Sequence, residues 1–445
     1  MSDTPMILGL ALGESYGVHP GAWRMPGVDP LAYTNVDVQV RGARAGERGG
    51  LDFVFFPDRV FLHGDLLAAP PMFTMEPLLV LAAVARETRR IGLVASASTS
   101  VNEPYTLARQ FRALDVMSHG RAGWNAIPSY EPEAFANHGR PVPSGDEKYE
   151  RLHEVIQITQ ALWGSWAREA GLPDPQAGRF ADMAHIRPVN LQGRHVGARG
   201  PLQIPPSEQG QPVIFMPLAS GRGLQAAGMY ANGILAMPRT IEESRTQRDI
   251  VRTSAVRAGR DADEMKFVPF MSFGLGATKR QALDRRRTLD ERAGLAPSLS
   301  RLSMMLGVRL DAERADAPLT AGQVDEIQAH AAAPPAAKAV KLAREGWSPR
   351  DIIAHGVFDP NPGLVGTPED AADLLQQWFG AGVCDGFTIV PDSQQDGIDD
   401  FVDQVVPILR RRGLRPAEYR GATLRDHLGL RDQIGIDSRL STTSA

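Results

Sequence analysis

Cysteine is almost absent from this chain: Cys384 is the single thiol among 445 residues. One cysteine excludes an internal disulfide and a cysteine-rich metal site. It is also typical of a reducing compartment, and the apolar residues around Cys384 favour an inert, buried thiol. We therefore predict no metal site.

The chain also lacks an excess of charge of one sign and a long apolar run. Its formal net charge is −4, which gives no electrostatic footprint for nucleic acid or for an anionic membrane surface. The amino-terminal segment has no basic region, and its apolar run is too short for a signal peptide or a membrane span. We therefore predict a soluble, cytoplasmic protein that binds neither nucleic acid nor membrane.

What the sequence does contain is a repeated alternation of short apolar runs with helical segments. The runs predicted as strands are 6–11, 51–56, 91–94, 121–126, 213–216, 233–237, 266–274 and 385–390. Eight strands that alternate with helices and have no obvious linker between them predict one (β/α)₈ TIM barrel. We assign residues 1–430 to this single domain, with insertions near 169–211 and 293–359 and a carboxyl-terminal tail at 431–445. The second insertion is interpreted as a helical excursion, and covering the mouth of the barrel is one role for it.

Residues 95–125 are the most informative segment, because they combine a strand end, a polar loop, a helix and the next strand. Asn102 and Pro104 predict the start of the helix, with the Asn102 side chain as its cap. The loop from Ser96 to Glu103 carries four hydroxyl residues and follows a strand, which is where ligands bind in parallel α/β proteins. From this segment alone, a capped crossover helix with a polar loop is the simpler interpretation.

Asp58 follows the second predicted strand, after Pro57. An acid at the carboxyl end of a barrel strand is placed for catalysis or ligand binding. A helix cap or a turn accounts for Asp58 equally well. His19 and Trp23 lie in the loop after the first predicted strand. A surface loop anchored by the tryptophan is slightly favoured there over a ligand-binding role.

A glycine-rich turn at residues 219–223, Ala-Ser-Gly-Arg-Gly, joins the fifth predicted strand to a helix from about residue 224. Glycine lets the backbone approach a ligand closely, and a helix start offers N–H groups and partial positive charge. This combination suits a phosphate, with Ser220 and Arg222 as further donors. It is neither a full Rossmann fingerprint nor a P-loop, and a turn required only for packing is an equal alternative.

Together these segments resemble the bacterial-luciferase-like flavin monooxygenases. Within them, the chain is most similar to the branch that contains nitrilotriacetate monooxygenase component A, pristinamycin synthase and dibenzothiophene-sulfone monooxygenase. The pattern that carries the resemblance is Ser98-Thr99, Glu103-Pro104-Tyr105, Ala108-Arg109, Phe111, Leu114-Asp115, Ser118, Gly120-Arg121 and Gly123-Trp124-Asn125. Further ordered matches extend over nearly the whole chain.

The resemblance implies an oxygenase that uses O₂ and reduced FMN, which a separate NAD(P)H:FMN reductase supplies, to oxygenate a small organic substrate. It implies a homodimer or homotetramer. It places Asp58 and Ser96 beside the flavin, and it assigns Tyr149, Ser220 and Gly221 to FMN binding, the last two at the phosphate. No catalytic residue is identified.

Two departures from the family pattern bear on the cofactor. The family commonly has a histidine four residues before the tyrosine, and here that position is Gly145; Lys148 or His138 are the neighbouring candidates to replace it. An apolar run at 215–217 also replaces a more polar one, which indicates a more apolar wall. Two alternatives stay open: a non-catalytic flavin-binding relative, and an F420-dependent oxidoreductase on the same barrel. The substrate is expected to be hydrophobic or heterocyclic, because no basic cluster awaits several carboxylates.

Overall fold

The computed structural model describes residues 5–64, 66–67, 69–171, 173–219, 221–327 and 334–435. Ten of its strands form one parallel sheet, in the order β11-β10-β12-β1-β2-β3-β4-β7-β8-β9. The strands are β1 (Ile7–Ala11), β2 (Phe53–Phe56), β3 (Gly92–Ser98), β4 (Ala122–Ile127), β5 (Leu191–Gln192), β6 (Gly197–Ala198), β7 (Val213–Pro217), β8 (Gly233–Leu235), β9 (Lys266–Phe267), β10 (Phe270–Leu275), β11 (Gly363–Gly366) and β12 (Gly386–Pro391).

The sheet closes into a barrel, as predicted. The strands β9 and β10 are two parts of one strand position, interrupted at Val268 and Pro269. The Phe270 N–H bonds the Ala236 carbonyl at 2.9 Å, and β10 also pairs with β12, which pairs with β1. Since β11 lies outside this closed circuit, the ten strands supply the eight positions of a (β/α)₈ barrel.

Helices that follow the barrel strands form its outer layer, and further helices belong to the insertions and to the carboxyl-terminal part of the chain. They are α1 (Val36–Arg48), α2 (Pro77–Glu87), α3 (Pro104–Met117), α4 (Pro132–Ala136), α5 (Gly145–Trp163), α6 (Arg222–Tyr230), α7 (Ile241–Arg257), α8 (Lys279–Ala293), α9 (Leu295–Leu306), α10 (Ala321–Asp325), α11 (Pro334–Arg344), α12 (Pro349–Ala354), α13 (Pro368–Gly380), α14 (Gly397–Asp400), α15 (Val406–Arg411) and α16 (Leu424–Leu428), with a π-helix at Phe401–Val405 between α14 and α15. Among the described residues, no helix is long and apolar enough to cross a membrane.

The expected limits of β3 and α3 were wrong in an instructive way. Strand β3 continues to Ser98 rather than ending at Val94, so Ser96 lies inside a strand and not in a loop. The alternation explains this difference: Leu93, Ala95 and Ala97 face the helices, while the intervening side chains face the barrel interior. Likewise, the cap position of α3 is Glu103 and not Asn102. The Asn102 amide instead donates to the Ser98 carbonyl at 2.9 Å.

The lower barrel interior is filled by aromatic rings packed against glycines. The rings of Phe53 and Phe215 lie 5.1 Å apart. A Cβ atom at Gly9 would overlap Phe53, and one at Gly233 would overlap Phe215, so these glycines make room for the rings. Phe215 belongs to the apolar run that was expected to form a ligand-cavity wall, and the structure places it in the core. Helix α16 packs against the same cluster of side chains.

The two predicted insertions differ in structure. The first contains a two-stranded antiparallel hairpin, β5 and β6. In the second, helices α9, α11 and α12 share an apolar cluster of their own, which includes Leu302 and Ile352. Of the carboxyl-terminal tail, residues 436–445 lie outside the described residues. Cys384 is a buried free thiol, as predicted.

Arg121 ties the elements around β3 and β4 together from below. Its guanidinium donates to the Ser118 carbonyl at 2.7 Å and to the Ile91 carbonyl at 2.7 Å. It also donates to the end of α2, reaching the carbonyls of Ala85 at 3.2 Å and Thr88 at 3.1 Å and the Thr88 hydroxyl at 3.0 Å. One buried side chain therefore satisfies carbonyls from three separate segments.

We predict that Arg121→Lys lowers the free energy of unfolding by about 3 kcal/mol, because an ammonium cannot reproduce the planar fork and leaves buried carbonyls without donors. Urea unfolding followed by tryptophan fluorescence measures the change. The control is Arg109→Lys on the exposed face of the same helix–strand unit, for which a change below about 0.5 kcal/mol is expected. Equal effects of the two substitutions would contradict this account.

Candidate active site

A polar pair lies inside the barrel, above the aromatic layer. Ser96 on β3 and Asn125 on β4 are register partners, and the Asn125 amide donates to the Ser96 hydroxyl at 2.8 Å. Both are buried. The Asn125 Oδ1 atom is buried and has no hydrogen-bond partner within the described residues. A buried acceptor without a partner is costly in a finished core, so this atom is placed to receive a donor from a ligand.

The mouth of the barrel is the end that carries the carboxyl ends of the strands, and it holds a cavity of about 520 Å³. This volume is within the range of small-molecule sites. We call it the mouth cavity. Its floor is formed by Ala11, Phe55, Phe270 and Val390 on four barrel strands, and residues 63–64 and 69–73 of the loop after β2 line its side. The lining is mostly apolar, so water is poorly held there.

Asp58 lies at the rim, directly after the cavity-lining Pro57. Burial, reinforced by the nearby Glu76 carboxylate, raises the pKa of Asp58 to about 6, while a hydrogen bond from the Arg59 backbone opposes the rise. Asp58 does not cap the following helix, because the Glu76 carboxylate accepts from Leu79 N–H at 2.7 Å and holds the cap position of α2. The structure therefore removes the helix cap as an account of Asp58 and leaves the turn and the ligand-binding interpretations.

Gly221 precedes the first turn of α6, and Tyr149 lies beside that turn at Gly223. Gly221 holds the N-cap position with φ 55° and ψ −123°, and no described side chain caps this helix. Such a conformation is open to glycine and strained for other residues. The Tyr149 hydroxyl would lie 2.9 Å from a Cβ atom at Gly223, so α5 and α6 approach each other closely here. Ser220, the other residue assigned to the phosphate, lies outside the described residues.

Two cations lie near this turn. Arg222 pairs with Asp146 at 3.1 Å. The Lys148 ammonium lies 3.5 Å from the ring centroid of Tyr130, whose hydroxyl is 2.9 Å from that of Tyr149. Burial lowers the pKa of Lys148. Of the two candidates to replace the missing family histidine, Lys148 is thus in contact with the tyrosine pair.

Gly145 is the first residue of α5, and Ser144 and Glu147 form a capping box at the start of this helix. A Cβ atom at Gly145 would meet nothing within 4 Å. The absence of a side chain there is therefore not a steric requirement of the fold.

His19 is a structural residue. Its Nδ1 accepts from Gly21 N–H at 3.1 Å, and its Nε2 donates to Asp290 at 3.0 Å. Since both ring nitrogens are engaged, His19 anchors the first loop and is not available as a base.

Sequence comparison identifies the family of this site. The profile of the family described as "Luciferase-like monooxygenase" matches residues 19–385 of this chain. That match spans six of the eight barrel positions, and only β1 and β12 lie outside it. The chain belongs to the luciferase-like monooxygenase family.

Relatives in the family match it over nearly their whole length. N-acetyl-S-(2-succino)cysteine monooxygenase of Bacillus subtilis (strain 168) is 33% identical, over 94% of this chain and 95% of its own. Nitrilotriacetate monooxygenase component A of Aminobacter aminovorans is 34% identical, over 96% of this chain and 97% of its own. Among solved structures, EDTA monooxygenase from Chelativorans sp. BNC1 has a TM-score of 0.80 at 29% identity, over 97% of this chain and 100% of that one.

The luciferase-like family membership settles the general activity and the cofactor. The protein is a flavin-dependent monooxygenase, and its flavin is reduced FMN. The sequence prediction of the family, the cofactor and the reaction class is confirmed.

Glu14 is a residue of the mouth cavity that the sequence analysis missed. Within the described residues it is the one acidic side chain that lines the cavity. Burial raises the pKa of Glu14 to about 7, and the charge of Arg59 opposes the rise only in part. Its position three residues after β1 was the available signal, the same signal that singled out Asp58 after β2.

We predict that Glu14→Gln stabilises the protein in a pH-dependent way. The folded-state pKa is about 7 and the unfolded-state value 4.5, so the native protein holds the proton more tightly and the carboxyl group costs stability as pH rises through this window. The gain in unfolding free energy should be roughly 2 kcal/mol larger at pH 8 than at pH 5. Urea unfolding at both pH values measures it, and a gain independent of pH would contradict the assignment.

Proposed function

We propose that this monooxygenase is the oxygenase of a two-component system. It receives reduced FMN from a separate NAD(P)H:FMN reductase and oxygenates a small organic substrate in the mouth cavity. The observation that carries the proposal is the uncapped glycine turn at the start of α6, which faces Tyr149 and opens on the same mouth as the buried acceptor of Asn125. The separate reductase is inferred from the resemblance of residues 98–125 to the two-component members. A homodimer or homotetramer remains a prediction from the same resemblance.

The start of α6 suits the phosphate of FMN. The first N–H groups of a helix lack internal partners and carry partial positive charge. Gly221 leaves room for a phosphate to approach them, and Tyr149 adds a hydroxyl beside Gly223 in the same turn. Ser220 is assigned here from its place in the sequence. Lys148 supplies a nearby positive charge in place of the family histidine.

The polar pair and Asp58 suit the flavin ring. The unpaired Asn125 Oδ1 would accept from a ring N–H group, and Ser96 would fix the amide that presents it. Asp58, at the carboxyl end of β2, would lie beside the ring, and near neutral pH its raised pKa lets it hold a proton part of the time. Bound FMN supplies the electrons and the reaction with O₂; the protein supplies binding, orientation and the exclusion of water.

We expect product formation when the protein is combined with FMN, NADH, a flavin reductase and a panel of small apolar substrates. Product is measured by mass spectrometry with ¹⁸O₂, because free reduced flavin consumes oxygen by itself. Asn125→Leu should abolish the labelled product. Tight binding of reduced FMN without any labelled product would favour the non-catalytic alternative. A reduced product without ¹⁸O, formed only with reduced F420, would favour the deazaflavin alternative.

We predict that Gly221→Ala weakens FMN binding about 10-fold, because the left-handed turn that presents the phosphate-facing N–H groups becomes strained. Binding is measured by quenching of flavin fluorescence. Riboflavin, which lacks the phosphate, should lose much less affinity. The matched control is Gly139→Ala, also at positive φ (63°) but with no atom within 4 Å of its Cβ position. Equal losses of affinity for FMN and for riboflavin would contradict the assignment of the phosphate to this turn.

A further inference from the structure

We propose that Glu14 selects the substrate: its carboxylate binds the protonated nitrogen of an otherwise apolar molecule and disfavours anionic ones. The inference rests on the proposed function, because it names the class of molecule that shares the mouth with FMN. Its support is the position of Glu14, the absence of a partner for its carboxylate, and the composition of the cavity.

The backbone around Glu14 is fixed. Its carbonyl accepts from the Gln394 side chain and from Gly17 N–H at 3.2 Å. Gln394 also donates to the Leu12 carbonyl at 3.2 Å. The loop after β1 is therefore tied to the segment after β12, and this fixes Glu14 in the lining of the mouth cavity.

The Glu14 carboxylate has no hydrogen-bond donor and no ion-pair partner within 4 Å among the described residues. Arg59 is the cation that acts on it from a distance, and the Arg59 guanidinium lies over the rings of Phe61 at 5.6 Å and Phe73 at 5.7 Å. An unpaired carboxylate in an apolar cavity is unfavourable. A ligand cation would supply the missing counter-charge.

The other titratable groups around Glu14 do not compete for this role. The Tyr16 hydroxyl donates to the Pro30 carbonyl at 2.7 Å, and both nitrogens of His19 are engaged. His63, at the exposed side of the cavity, stacks edge-on with Phe61. Asp58 lies at the rim and not in the lining. No lysine or arginine lines the described part of the cavity, so a molecule with several carboxylates would find no partner.

The test compares three probes of one shape: naphthylmethylamine, naphthylmethanol and naphthylacetate. Isothermal titration calorimetry of the full chain, saturated with FMN, should show that the amine binds about 10-fold more tightly than the alcohol at pH 8. The acetate should bind most weakly. The preference for the amine should shrink at pH 6, because Glu14 takes up a proton as pH falls through its pKa of about 7. The alcohol should bind equally at both pH values.

Glu14→Gln should remove the preference for the amine and bind the alcohol as before, which also shows that the variant is folded. Glu133→Gln, on the exposed face of α4, should retain the preference. The proposal is overturned if the amine preference survives in Glu14→Gln, or if the unaltered protein binds the acetate as tightly as the amine. Failure of the oxygenation assay with normal amine binding would instead overturn the proposed function alone.

Discussion

The buried guanidinium of Arg121 is the interaction on which this site depends. Its donors hold the end of α2, the start of β3 and the turn between α3 and β4 in one arrangement. That arrangement fixes the register in which Ser96 faces Asn125 inside the barrel. At the other end of α2, it fixes the position of Glu76, whose charge contributes to the raised pKa of Asp58. One residue below the barrel therefore sets the geometry of polar groups at its mouth.

The barrel interior is divided along its axis, and this division makes a site possible. The lower part is closed by the rings of Phe53 and Phe215 and by helix α16. Above them, the side chains of Ser96 and Asn125 are too small to fill the widening barrel, and they bring polar atoms into it. The strand ends then open on the apolar mouth cavity. A core that stops short of the mouth leaves space for a planar ring over a solid floor, without a separate binding domain.

Local sequence signals predicted the barrel well, because the strands and helices carry their own periodicity and several helices carry their own side-chain cap. The eight strand positions and the order of the helices follow from such signals. The continuation of β3 to Ser98 was missed because small hydroxyl residues resemble a loop when the barrel interior is unknown. Strand β11 was missed since Gly363–Gly366 becomes a strand only through its pairing with β10. The role of Asn125 depends on Ser96 on the neighbouring strand, which no local pattern reveals. Glu14 offered one local signal, its position shortly after β1, and the resemblance to a family supplied the cofactor.

Asp58 and Glu14, the two acids at the mouth, lower the stability of the empty protein and are available to a ligand. Burial raises the pKa values of both Asp58 and Glu14, so the ionisation of either group lowers the free energy of unfolding. An acid that served only the fold would have acquired a partner, as Asp52 has in Arg415, which pairs with it at 2.6 Å and is itself buried. Glu14 faces a cavity that holds no such partner among the described residues. An ionised Glu14 carboxylate is unfavourable in this apolar cavity, and a bound cation stabilises it. A neutral molecule of the same shape provides no such stabilisation. Discrimination by charge therefore follows from the same unpaired carboxylate that weakens the empty barrel.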